Sequence, residues 1–147
     1  MIKLIIDEDS IAAGKNGQVT GGICFETSHG YFPSEKWNDF VVTTLSWWAN
    51  NFINYMQTKA KKTDFTFMDG PYCIRIQSSG KAESTFHFYY NDEEMVPLSE
   101  SICFDELYEI LLRGCLKVLN ALEKLDIEFS KVQALKRTTE RLKELTI

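Results

Sequence analysis

The stretch YCIRIQSSGKAESTFHFYY, Tyr72–Tyr90, decides the fold class. Its first half alternates, with Tyr72, Ile74 and Ile76 on one face and Cys73, Arg75 and Gln77 on the other. After a turn at Ser79-Gly80-Lys81 the alternation resumes over Glu83–Tyr90, where Phe86, Phe88 and Tyr90 oppose Thr85, His87 and Tyr89. A two-residue period marks a half-buried strand, and two such runs around a short glycine-containing turn read as an antiparallel hairpin. Upstream, a strand at Phe65–Met68 and the turn Asp69-Gly70-Pro71 extend the hairpin to a meander. Downstream, Val96–Phe104 has room for a short last strand, which Pro97 confines to an edge or a strand start.

Working outward from the meander, the strongest helical signal lies before it. Trp37, Phe40, Val41, Thr44, Leu45, Trp48, Phe52, Tyr55 and Met56 recur at three- and four-residue steps, and Pro33-Ser34 offers a start with Ser34 as N-cap. Lys59, Lys61 and Lys62 follow where cations complement a helix C-terminus. Before this helix, Met1–Ile6 and Gln18–Glu26 read as a strand pair joined by a polar loop over Asp7–Gly17. The pair Gly21-Gly22 signals a bulge or a close backbone approach. After the meander, Leu107, Ile110, Leu111, Cys115, Val118, Leu119, Leu122 and Leu125 form a helical stripe. A break at Asp126 leads to a second, sparser one through Phe129, Val132, Leu135, Leu142 and Leu145. The order is two strands, a helix, three or four strands and two helices. Strands cluster and do not alternate with helices, so the expectation is one α+β domain over residues 1–147, with an antiparallel sheet of five to six strands and helices packed on it.

Composition agrees with a globular chain: 147 residues, 44% hydrophobic and 25% charged. No apolar run approaches the roughly 18 residues of a membrane span. The N-terminal run turns acidic within seven residues, unlike a signal peptide, so the expected location is the cytoplasm. Cys24, Cys73, Cys103 and Cys115 form no C-x-x-C pair and lie in apolar contexts, which reads as reduced, buried thiols. The net charge of −5 is uneven: residues 131–147 carry +3, so the rest carries −8. Between Ala82 and Leu112 there is no Lys or Arg, against eight acids: Glu83, Asp92, Glu93, Glu94, Glu100, Asp105, Glu106 and Glu109. Such a surface repels nucleic-acid phosphates and attracts a basic protein. An ordinary solvated acidic face reads the same way.

The signatures of phosphate-binding loops, dinucleotide folds, zinc proteases and serine hydrolases are absent. Cys24 or Cys73 with His87 is the one arrangement from which a thiol nucleophile and base can be drawn. Cys24 and His29 lack the second close pair that a four-ligand metal site needs, and no cofactor is expected. The remaining candidates are aromatic. Trp48 falls on the helix stripe, whereas Trp47 lies about 100° away, either widening the buried face or standing exposed as a binding anchor. Tyr89 and Tyr90 point to opposite faces of one strand, beside the acidic run Asn91–Glu94. The candidate partner-binding set is therefore Trp47, Tyr89, Tyr90, Asp92, Glu93, Glu94 and Glu100, an aromatic centre with a carboxylate rim.

The segments FPSEKWNDFVVTTLSWW (Phe32–Trp48) and FMDGPYCIRI (Phe67–Ile76) carry a resemblance. With its F-P-x-x-x-W-x-D-F start to a Trp-rich helix and its D-G-P-Y turn, the chain looks like a family of small uncharacterised bacterial proteins. In general character it resembles the immunity proteins of contact-dependent and polymorphic toxin systems. That resemblance implies a non-enzymatic inhibitor covering the active site of a basic toxin domain, such as a nuclease. The alternatives are a small-molecule-binding domain, with an aromatic-lined cavity between the sheet and the Trp37–Met56 helix, and a cysteine-based enzyme.

Overall fold

The computed structural model describes residues 1–14, 17–80, 82–95 and 99–145. Its elements run β1 (Lys3–Ala13), β2 (Val19–Thr27), β3 (Gly30–Phe32), β4 (Asn38–Asp39), α1 (Val41–Gln57), β5 (Lys62–Thr66), β6 (Tyr72–Ser78), β7 (Glu83–Tyr90), β8 (Glu93–Glu94), β9 (Glu100–Cys103), α2 (Phe104–Lys124) and α3 (Ser130–Lys143). The fold is α+β with antiparallel pairing throughout the described sheets, as the clustering of strands requires. The strands divide into two sheets rather than one. β1-β2-β3 forms the first, with β4 also paired to β2, and β5-β6-β7-β8 forms the second, with β9 paired to β7.

The N-terminal hairpin is longer than the polar segment Asp7–Gly17 implies. β1 continues to Ala13 through a register shift between Asp7 and Ala12, which returns Ile11 to the buried side. The Ser10 hydroxyl stitches the shift, donating to the Asp7 carbonyl at 2.7 Å and accepting the Gly22 N–H at 2.7 Å. The expected close approach is at Gly21, where a Cβ would come within 2.8 Å of Ile11 Cγ1. Acids have low strand propensity, but pairing with β2 and burial of Ile11 outweigh it here.

The start of α1 differs from expectation. The helix begins at Val41 and not at Ser34, and Phe40 occupies the N-cap position without a side-chain cap. The intervening backbone is claimed by strands: the Trp37 carbonyl accepts Ile23 N–H at 2.9 Å, and Asn38–Asp39 pairs with Gly21–Gly22. The three lysines likewise lie beyond the last turn, since the helix ends at Gln57 and Lys59 turns the chain with φ 53°. Asp126, at φ 54°, marks the break between α2 and α3. The short last strand is β9, while Pro97 and Lys81 lie outside the described residues.

α1 is central, touching β2 of one sheet, β5 of the other, and both remaining helices. Trp48 stacks on Phe65 at 5.4 Å and meets Phe25 at 5.2 Å and Phe67 at 5.0 Å. Phe25 reaches Phe86 at 5.6 Å and Phe32 reaches Phe88 at 4.9 Å, so rings from both sheets close on one another directly. The space between the second sheet and α1, where a ligand cavity was one expectation, is occupied by these rings in mutual contact. No helix among the described residues is long and apolar enough to cross a membrane.

Candidate functional site

The acidic run after Tyr90 is a tight hairpin and not a loose loop. Asn91 and Asp92 both have positive φ, 51° and 66°, the signature of a two-residue type I′ turn. Tyr89 then pairs with Glu94 and Tyr90 with Glu93, and Met95 N–H donates to the Phe88 carbonyl at 2.7 Å. The turn rests on the D-G-P-Y segment, because Asn91 N–H donates to the Pro71 carbonyl at 2.8 Å.

That support runs back to the start of α1 through Asp39, a carboxylate only 1% exposed. It accepts from Trp37 Nε1 at 2.9 Å, Phe40 N–H at 2.7 Å, Thr44 Oγ1 at 3.2 Å and Asp69 N–H at 3.2 Å. Asp69-Gly70 is thereby held under the Trp37 ring. Gly70 has φ +94°, and any Cβ there would lie 3.2 Å from the indole, so glycine is required. Tyr72 packs on Trp37 at 5.1 Å and on Phe32 at 5.6 Å. The two segments that carry the sequence resemblance therefore meet in one structural knot, and the hairpin stands on it.

Five candidate residues come together on this hairpin. Asp92, Glu93 and Glu94 are exposed, Tyr90 is 48% exposed with its ring 5.0 Å from Tyr72, and Tyr89 is half-buried. Tyr89 faces the outer side of the second sheet, where the Arg75 guanidinium lies 5.1 Å from its ring centre and is tied to Asp64 at 3.0 Å. Glu94 Oε1 lies 2.9 Å from His87 Nδ1 on the same face. Arg75 and His87 were not among the partner-binding candidates, His87 entering only as a base for a thiol, although the register Arg75↔His87 follows once the two strands are paired around their turn.

Two candidates lie elsewhere. Trp47 is on α1, 42% exposed, and among the described residues it has no hydrogen bond or ring contact with the hairpin. It takes the exposed alternative and not the wider buried face. Glu100 must be withdrawn from the rim. Its side chain is 10% exposed, and it accepts Ser28 N–H at 2.9 Å with the Met1 ammonium 2.8 Å away. Burial raises the Glu100 carboxyl, but the Met1 ammonium and the bond from Ser28 outweigh it and keep it below the ordinary glutamate value. The reason for the misplacement is the sheet: Glu100 pairs with Phe86, on the row of side chains that points inward.

The thiols are poorly suited to nucleophilic work. Burial pushes Cys24 and Cys115 up to about 11 and raises Cys73 as well, the reverse of the lowered value that makes a thiolate at neutral pH. Cys24 Sγ is 3.5 Å from the Glu35 carbonyl and Cys73 Sγ is 3.8 Å from Thr66 Oγ1, so neither is directed at His87. Cys24 and Cys115 are buried as expected, whereas Cys73 and Cys103 are half-buried. Compared with protein-family models, curated proteins and solved structures, the chain finds no match in any of the three.

Proposed function

We propose that this protein is a non-enzymatic, cytoplasmic inhibitor that binds a basic protein through the β7–β8 hairpin, in the manner of an immunity protein covering a nuclease-type toxin domain. The observation that carries this reading is the hairpin itself. Three exposed carboxylates, Asp92, Glu93 and Glu94, project beside a 48% exposed Tyr90 from a turn braced at Pro71. A nuclease site is cationic because it holds phosphates, and a clustered acidic tip offers it the charge of its substrate. Opposite charge on the two partners also speeds their encounter. Because the turn is already ordered, little conformational entropy is lost on docking. Tyr90 supplies the kind of large, stiff contact that dominates binding energy.

The test uses a basic nuclease domain encoded beside this chain's gene. Association rate is measured against salt for the wild type and for D92K/E93K/E94K. The wild-type rate should fall as salt rises, because exposed charges are screened beyond about 8 Å at physiological ionic strength. The triple reversal should slow association by about tenfold or more. It should lose no more than about 2 kcal/mol of stability, because Lys tolerates the φ of 66° at position 92 less well than Asp and because the surface contact of Glu94 with His87 is lost. Equal rates for both proteins, independent of salt, would show that the hairpin is merely a solvated turn.

A further inference from the structure

The outer edges of the two sheets are treated differently. On β5, helix α1 closes the edge: Asn51 Nδ2 donates to the Asp64 carbonyl at 2.9 Å and Trp48 Nε1 to the Thr66 carbonyl at 2.9 Å. Among the described residues β1 pairs only with β2, and no side-chain hydrogen bond reaches the backbone of Lys3–Ile6. Beside that edge lies a groove of about 580 Å³ between β1 and α2, lined among others by Leu4, Ile5, Glu106, Ile110, Arg113 and Lys117. An open strand edge next to an apolar-floored groove is a template for another strand.

The geometry points to a second copy of this chain as the occupant, with β1 pairing antiparallel to β1 about a two-fold axis at Ile5. The argument is charge complementarity within the strand itself. Lys3-Leu4-Ile5-Ile6-Asp7, laid antiparallel on its own copy about Ile5, sets Lys3 opposite Asp7 and Leu4 opposite Ile6. Moving the centre by one residue to Ile6 sets Leu4 opposite Glu8 and Ile5 opposite Asp7. The Ile5 register also keeps Leu4 and Ile6 of both copies on one face, the face that packs near Gly114 of α2. Both α2 helices then lie on the same side and run antiparallel across the joint. α2 carries Asp105, Glu106 and Glu109 toward its start and Arg113 and Lys117 further on, so the two-fold brings the acids of one copy to the bases of the other. A two-fold interface demands this self-complementarity, because each contact occurs twice. The hairpin of the proposed partner site belongs to the other sheet, so self-association and partner binding are separable.

The experiment is sedimentation equilibrium of the full chain, with the variants K3D, D7K and K3D/D7K, each checked for folding by circular dichroism. The wild type should sediment at twice 17.0 kDa. K3D places like charges opposite each other twice, and should weaken dimerisation by about tenfold or more. The double variant restores the opposite-charge pair and with it the dimer. D7K makes the same clash from the other side, and carries the test if K3D does not fold. A wild type that stays monomeric at roughly 0.1 mM chain, a single reversal that dimerises as tightly as wild type, or a double variant that fails to recover overturns the proposal.

Discussion

Asp39 shows how much one residue decides. Four donors converge on its carboxylate, three from residues 37–44 and one from Asp69, and the Asp69 contact ties the start of α1 to the turn that braces the hairpin. In D39N the shape is kept, but the amide NH2 must face at least one of these donors, leaving buried N–H groups unpaired. Each unpaired group costs about 1–3 kcal/mol, so the expected loss is about 2–5 kcal/mol in chemical denaturation. Hydrogen exchange at Asn91 should also quicken, since its N–H bond to Pro71 depends on that turn. An unchanged denaturation midpoint in D39N would falsify this role. In the sequence, Asp39 was visible only as one letter of a motif. Its partner Asp69 is 30 positions away, and no periodicity connects them.

At the scale of elements, α1 organises the core through Trp48. The apolar stripe made that assignment legible, because a 3.6-residue period fixes which face must be buried whatever it packs against. Trp48→Ala removes a ring that touches Phe25, Phe65 and Phe67 and orphans the Thr66 carbonyl. The expected cost is about 3–5 kcal/mol from lost transfer energy and cavity formation, read from the shift in urea midpoint. A variant that unfolds at the wild-type midpoint would place the core elsewhere. The ends of α1 were harder to read. Pro33-Ser34 is a good local start signal, but cross-strand pairing of Asn38–Asp39 with Gly21–Gly22 outbid it, and the helix begins seven residues later, at Val41. The same competition lengthened β1.

For the whole molecule, burial of thiols predicts an alkaline limit. Cys24 and Cys115 are raised from 9.0 to about 11, chiefly by burial, so the folded protein holds protons that the unfolded chain releases. Their contribution to stability is complete below pH 9 and is lost as pH rises toward 11. For Cys115, which is fully buried, two units of difference correspond to about 2–3 kcal/mol. C24A/C115A should therefore lose less stability than wild type between pH 9 and 11, measured by denaturation at each pH. Parallel curves for the two proteins would assign the alkaline limit to other groups.

The sequence by itself determined the α+β class, the longer strands and three helices in their order, and the burial of Trp48, Phe86 and Phe88, because alternation and helical stripes are local statements of which side meets water; the short β3, β4 and β8 and the exposure of Tyr90 escaped it. It also marked the acidic, aromatic segment after Phe88, since charge and ring content are read directly from residues. Tertiary structure alone decided that the strands form two sheets closed by rings from both, that Glu100 faces inward to Ser28, and that the W-x-D-F and D-G-P-Y segments meet beneath the hairpin. Those outcomes depend on which distant backbone groups find partners. Hydrogen bonds across 30 or 72 positions leave no period in the sequence, so only the folded chain selects among them.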